Sequence, residues 1–137
     1  MQMYKFLVVL VGCFLLQPGL ATETENAVDI QIGTAMAKVG EPTQLEIKIT
    51  PKTGFKISRA YRNRIFELSA AEDGLVEFDQ GLVRGEVEND ALIFAVSVTP
   101  QKAGEHPING IIRFSFHDGH TMDTKSVPLI TTVTGTE

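Results

Sequence analysis

Apolar residues recur at every second position through most of this chain, and no other feature limits its fold as tightly. A helix repeats every 3.6 residues, whereas a strand sends successive side chains to opposite faces. Val28, Ile30 and Ile32 alternate with Asp29 and Gln31, and Leu45, Ile47 and Ile49 with Glu46 and Lys48. Phe55–Ile57 is a short third strand, and Ile65–Leu68 opens a fourth that ends at Glu72-Asp73-Gly74. Leu92, Phe94, Val96 and Val98 make the clearest stripe, closed by Pro100. Ile112, Phe114 and Phe116 make the next, and Val127, Leu129, Thr131 and Val133 the last. Gly, Pro and Asp punctuate the intervals, and no segment has helical period. The pattern predicts an all-β fold, an antiparallel immunoglobulin-like β-sandwich of about seven strands. The polar stretch 75–90, with Gly81 and Gly85, reads as an irregular connection or edge hairpin, and the tail from Thr134 to Glu137 as frayed ends.

The first residues follow another logic. Lys5 precedes an apolar run from Phe6 to Leu16, and Gly19 and Ala21 are small residues suited to signal peptidase. Residues 1–21 therefore read as a signal peptide cleaved after Ala21, and 22–137 as one sandwich domain with a periplasmic or secreted location. The run is shorter than the roughly 20 residues that span a bilayer. A second reading takes Leu10-Val11-Gly12-Cys13 as a lipoprotein box, which would tie the protein to a membrane through Cys13.

Cys13 is the chain's one cysteine, so the mature domain has no thiol chemistry and no disulfide. About 116 residues suffice for a single core held by packing alone. With Lys5 in the leader, the mature chain carries 11 basic against 17 acidic side chains, a net charge of −6. Such a chain repels phosphate backbones, which argues against nucleic acid as a partner.

The residues with the most chemistry sit at a hairpin tip, His117-Asp118-Gly119-His120-Thr121-Met122. Asp118-Gly119 favours a two-residue type I′ turn, because both central positions need positive φ. That turn would set His117 against His120, with Met122 on the same face and Phe114 and Phe116 turned inward. An alternative four-residue loop, Asp118 to Thr121, would pair His117 with Met122 and carry His120 on the loop. Either register leaves His117 and Met122 near each other, so His117, His120 and Met122 stay candidate ligands for a soft metal, copper(I) best, with zinc satisfied by the histidines. Against this stands plain structural filling of an exposed turn, which needs no cofactor.

Other motifs are thinner. His106 reads as a loop residue. Arg59, Arg62 and Arg64 surround Tyr61 in a basic patch, either an anion or partner contact or a solvated turn keeping a strand edge soluble. Glu86 and Glu88 near Asp90 read as a charged loop or as a cluster that attracts cations. No nucleophile elbow or triad spacing is present, which argues against an enzyme.

The stretch from Pro51 to Leu129 resembles the amino-terminal periplasmic domain of the thiol:disulfide interchange protein DsbD and its relatives. The resemblance is carried by Pro51-Lys52-Thr53-Gly54-Phe55-Lys56-Ile57-Ser58 with Tyr61, by Thr99 to Gly110, and by Arg113-Phe114-Ser115-Phe116. It implies an immunoglobulin-like fold, a periplasmic setting, and a tip that in relatives meets other proteins. Where the family carries its two redox cysteines, this chain has His117 and Met122. Disulfide exchange needs a thiolate nucleophile, so that activity does not carry over. The family also favours Asn and Pro where Ser58 and Arg62 stand. The reading that results is an exported, non-enzymatic binding domain, a redox-inactive relative of the DsbD module. It would meet a periplasmic or membrane protein partner through Phe55, Tyr61, His117 and Met122.

Overall fold

The computed structural model describes residues 26–137, so the leader, its cleavage site and Cys13 lie outside the described residues. Among the described residues, eleven strands stack as two sheets into a sandwich, an immunoglobulin-like architecture. They are β1 (Val28–Ile32), β2 (Ala35–Lys38), β3 (Thr43–Pro51), β4 (Lys56–Ile57), β5 (Arg64–Ala70) and β6 (Val76–Phe78). After these come β7 (Val83–Arg84), β8 (Glu86–Glu88), β9 (Ala91–Pro100), β10 (Gly104–His117) and β11 (Met122–Thr136). One sheet runs β1-β3-β9-β6 with β8 also on β9, and the other β2-β11-β10-β5-β7 with β4 also on β10. Every pairing among these strands is antiparallel apart from β2 beside β11.

The alternating stripes meet between the sheets. Leu45, Ile47 and Ile49 of β3 and Leu92, Phe94, Val96 and Val98 of β9 are fully buried, against Ile112 and Phe114 of β10 and Leu129 and Val133 of β11. Burial of apolar area at about 25 cal/mol per Å² is the main force here, since no disulfide joins the layers. Val28 is buried, whereas Ile30 and Ile32 are half-buried, as suits an edge strand.

β10 and β11 form the long spine, in register from Gly104↔Gly135 to His117↔Met122. Main-chain groups of an antiparallel strand point alternately toward one neighbour and the other. The Ser58 N–H donates to the Ser115 carbonyl at 2.8 Å, and the Ala71 N–H to that of Pro107 at 3.3 Å, so odd-numbered β10 residues address the strands opposite β11. Pro128 stands across from Ile111 and Pro107 across from Thr132. Both prolines therefore occupy positions where the β10–β11 ladder asks for no N–H, and both are tolerated in strands.

Three expectations need correction. The tail does not fray before Thr136: Thr134–Thr136 belong to β11 and pair with Met36–Lys38 of β2, and the Thr136 carbonyl accepts from the Val39 N–H at 2.8 Å, backbone pairing that a local pattern does not show. His106 is not in a loop. It is buried in β10, and its Nε2 lies 2.7 Å from the Lys102 carbonyl, a polar partner that permits burial. The stretch 75–90 is not irregular throughout. It holds the short strands β6, β7 and β8, with β8 and β9 joined through Asn89 and Asp90, both at positive φ. Gly85 lets the link between β7 and β8 cross the core, since an added Cβ would strike the Leu92 and Phe94 side chains.

Candidate functional site at the hairpin end of the sandwich

The tip adopts the four-residue loop rather than the favoured two-residue turn. His117 pairs with Met122, and the Asp118 N–H donates to the Thr121 carbonyl at 3.2 Å. The Asp118 side chain explains the choice. Its Oδ1 accepts from the His120 N–H at 2.8 Å and the Thr121 N–H at 2.7 Å, a local turn that competes with type I′ geometry. Within this loop Gly119 alone takes positive φ, at 93°. The Thr121 amide first, then the His120 amide, hold the Asp118 carboxyl below its ordinary value.

Consequently His117 and Met122 are cross-strand neighbours, and His120 rides on the exposed loop instead of facing His117. Directly opposed residues of antiparallel strands place their Cβ atoms about 4.5–5.5 Å apart. Met122 is 58% exposed, a large apolar side chain left open to solvent. Phe114 and Phe116 turn inward as expected. Among the described residues no group of three or more His, Cys, Asp or Glu side chains is placed to hold a metal ion. Any such centre at the tip would have to draw on the Met122 sulfur.

Below the tip, β4 joins the end of β10, with Ile57 across from Phe116 and Lys56 across from His117. This puts Lys56, Ile57, Arg59 and His117 beside Val87 and Asp90 from the β8–β9 hairpin, around a cleft of about 390 Å³. Lys56 and Arg59 belong to the segment flagged in the sequence. Val87 and Asp90 arrive through the pairing of β8 with β9, which realises the hairpin alternative for this stretch.

Phe55 and Tyr61 are half-buried and serve first as supports. Phe55 meets Phe116 edge to face, centroids 6.0 Å apart at 74°. Tyr61 lies beneath Arg64, whose guanidinium carbon is 5.9 Å from its ring centre and 5.5 Å from that of Phe66. A buried polar clasp that the sequence did not disclose fixes the outer side of this end. The Asn63 amide donates to the Ser58 carbonyl at 2.9 Å and its Oδ1 accepts the Ser115 N–H at 3.0 Å. The Ser115 hydroxyl donates to the Asp123 carbonyl at 2.8 Å. Ser115 is thereby fully buried, although the alternation placed it on the outer face.

No family model and no curated protein matches this chain. Solved structures do. The chain is similar to the cohesin–dockerin complex Coh-OlpA-Doc918 from Clostridium thermocellum, at 14% identity and TM-score 0.50, covering 81% of this chain and 100% of that one. The seventh ScaB type I cohesin from Pseudobacteroides cellulosolvens matches at 14% identity over 81% of this chain and 94% of that one, TM-score 0.48. AggA, the major subunit of an Escherichia coli aggregative adherence fimbria, matches at 17% identity over 80% of this chain and 94% of that one, TM-score 0.43. At its identity the Coh-OlpA-Doc918 likeness establishes the sandwich fold and nothing finer. No helix among the described residues is long and apolar enough to cross a membrane.

Proposed function

We propose that this chain is an exported, non-enzymatic immunoglobulin-like binding domain, a redox-inactive relative of the DsbD amino-terminal module, whose hairpin end meets a periplasmic or membrane protein. The observation that carries the reading is the pairing of His117 with Met122 at the head of β10 and β11. These residues stand where the resemblance assigns the redox cysteines, and the exposed Met122 thioether is a soft, adaptable contact surface. The neighbouring cleft adds Lys56, Arg59 and Asp90 as polar contacts.

A photo-crosslinking residue at Met122 tests this in the exporting cell. Met122 should capture one discrete protein, whereas the same probe at exposed Glu41 in the turn between β2 and β3 should not. The His117→Ala/Met122→Ala double variant should lose the partner while its stability changes by about 0.5 kcal/mol or less per site. Equal capture from both positions would refute the assignment of this end.

A second reading, copper(I) or zinc held by His117, His120 and Met122, draws support from the same register, which brings an imidazole and a thioether face to face. Titration of the protein and the double variant with each metal separates the two readings, since equal weak uptake would end the metal one.

A further inference from the structure

Four of the chain's five arginines, Arg62, Arg64, Arg84 and Arg113, converge on the outer face of the second sheet. Arg84 of β7 lies directly across from Arg64 of β5, and Arg64 directly across from Arg113 of β10. The row beside it, Val83, Ile65 and Ile112, is buried, so the three arginines share the opposite, outward face. Like charges directly opposed on neighbouring strands destabilise a sheet.

Among the described residues no carboxylate pairs with them, although Arg84 also shares a second open cleft with Glu86 and Glu88. Arg62, Arg64, Arg84 and exposed Leu82 line an open cleft of about 320 Å³ with no acidic side chain on its wall. Among the described residues none of the four arginines forms an ion pair with Asp or Glu. Yet the chain has 17 acidic residues, so carboxylate partners were available to it. A lone arginine on an edge strand keeps that edge soluble, but Arg64 and Arg113 are paired on both sides, so only Arg84, on the terminal strand β7, has an edge to guard.

The row is also organised in advance. Arg64 stacks on the rings of Tyr61 and Phe66 and donates to the Arg62 carbonyl at 2.9 Å, which fixes its planar fork. Guanidinium forks match carboxylate and phosphate oxygens two by two. Two features favour carboxylates on a peptide. The net negative charge of the chain opposes any polyanion, so a short acidic segment meets less of that repulsion than a long one. Leu82, 45% exposed, and the half-buried Phe66 and Tyr61 flank the charges with apolar surface that a mixed acidic and apolar segment would cover.

We propose that the face formed by Arg62, Arg64, Arg84 and Arg113 docks an acidic, carboxylate-bearing peptide segment of a partner protein. The proposal stands apart from the role of the hairpin tip.

Calorimetric titration of the purified protein with the capped peptide Glu-Glu-Leu-Glu-Glu, its Gln-Gln-Leu-Gln-Gln counterpart and inorganic phosphate tests it. The acidic peptide should saturate a single site, and more weakly as salt rises. The Arg84→Glu/Arg113→Glu variant should lose affinity by about tenfold or more, as expected for charge-assisted hydrogen bonds. A Lys38→Gln control should bind as the parent does. Arg113→Glu alone should raise the melting temperature while weakening the peptide, because it turns a like-charged cross-strand pair into an opposite one. Equal binding of the glutamine peptide, competition by phosphate at equal concentration, or a lowered melting temperature in Arg113→Glu would each overturn the proposal.

Discussion

The stem of the β10–β11 hairpin and its tip are adjacent, yet they are held by different means. From Ile112 to Phe116 the stem is fixed on both faces: Phe114 and Phe116 reach into the core, and the Asn63 clasp closes over Ser115. From His117 to Met122 the chain is held by pairing at its base and by the Asp118 side chain, with His120 and Met122 in solvent. The stem needs its particular residues for folding, whereas the tip is a platform on which side chains can change without disturbing the fold. That division suits a contact surface carried on a rigid support.

Phe114→Ala should break the stem most severely. A fully buried ring lost from a core costs about 3–5 kcal/mol, measured as a shift of the urea midpoint at unchanged slope. A loss near that of an exposed substitution would mean the stem is no more fixed than the tip. Asn63→Ala comes next. It leaves the Ser115 N–H and the Ser58 carbonyl buried without their partner, at a cost of about 1–3 kcal/mol. If Asn63→Ala proved neutral, the outer face would contribute nothing and the stem would rest on its aromatic side alone.

How far the sequence discloses this division follows from the range of the interactions. Periodicity is local, so the strands carrying Leu45, Ile47 and Ile49, or Phe94 and Phe114, are legible from the order of residues alone. Short edge pieces such as β2 and β7 complete no period, and only a partner strand defines them. Ser115 shows the limit most clearly. Alternation puts it outside, and it is buried because Asn63, 52 residues earlier, folds over it. At the tip, Asp118-Gly119 allows two turns from one dipeptide, and the bonds that the Asp118 side chain accepts from His120 and Thr121 select the longer. The arginine row is half legible: Arg62 and Arg64 are close in sequence, while Arg84 and Arg113 join only through strand pairing.

The smallest expected effect belongs to the tip and sharpens the contrast. Two amide donors stabilise the charged form of Asp118, so its carboxyl titrates below its ordinary value of 3.8. A carboxyl depressed in the folded state favours the ordered loop above its unfolded value and loses that contribution as pH falls through the folded one. The amide resonances of His120 and Thr121 should therefore move together as pH falls, with a common midpoint below 3.8, while the amide of Ser115 stays fixed. In Asp118→Asn the loop keeps an acceptor oxygen but has no titrating group, and the step should vanish. A midpoint at or above 3.8 would show that the side chain does not hold the loop. A concerted shift of Ser115 with the tip would show instead that stem and tip form one cooperative unit, and that the tip is not free to vary.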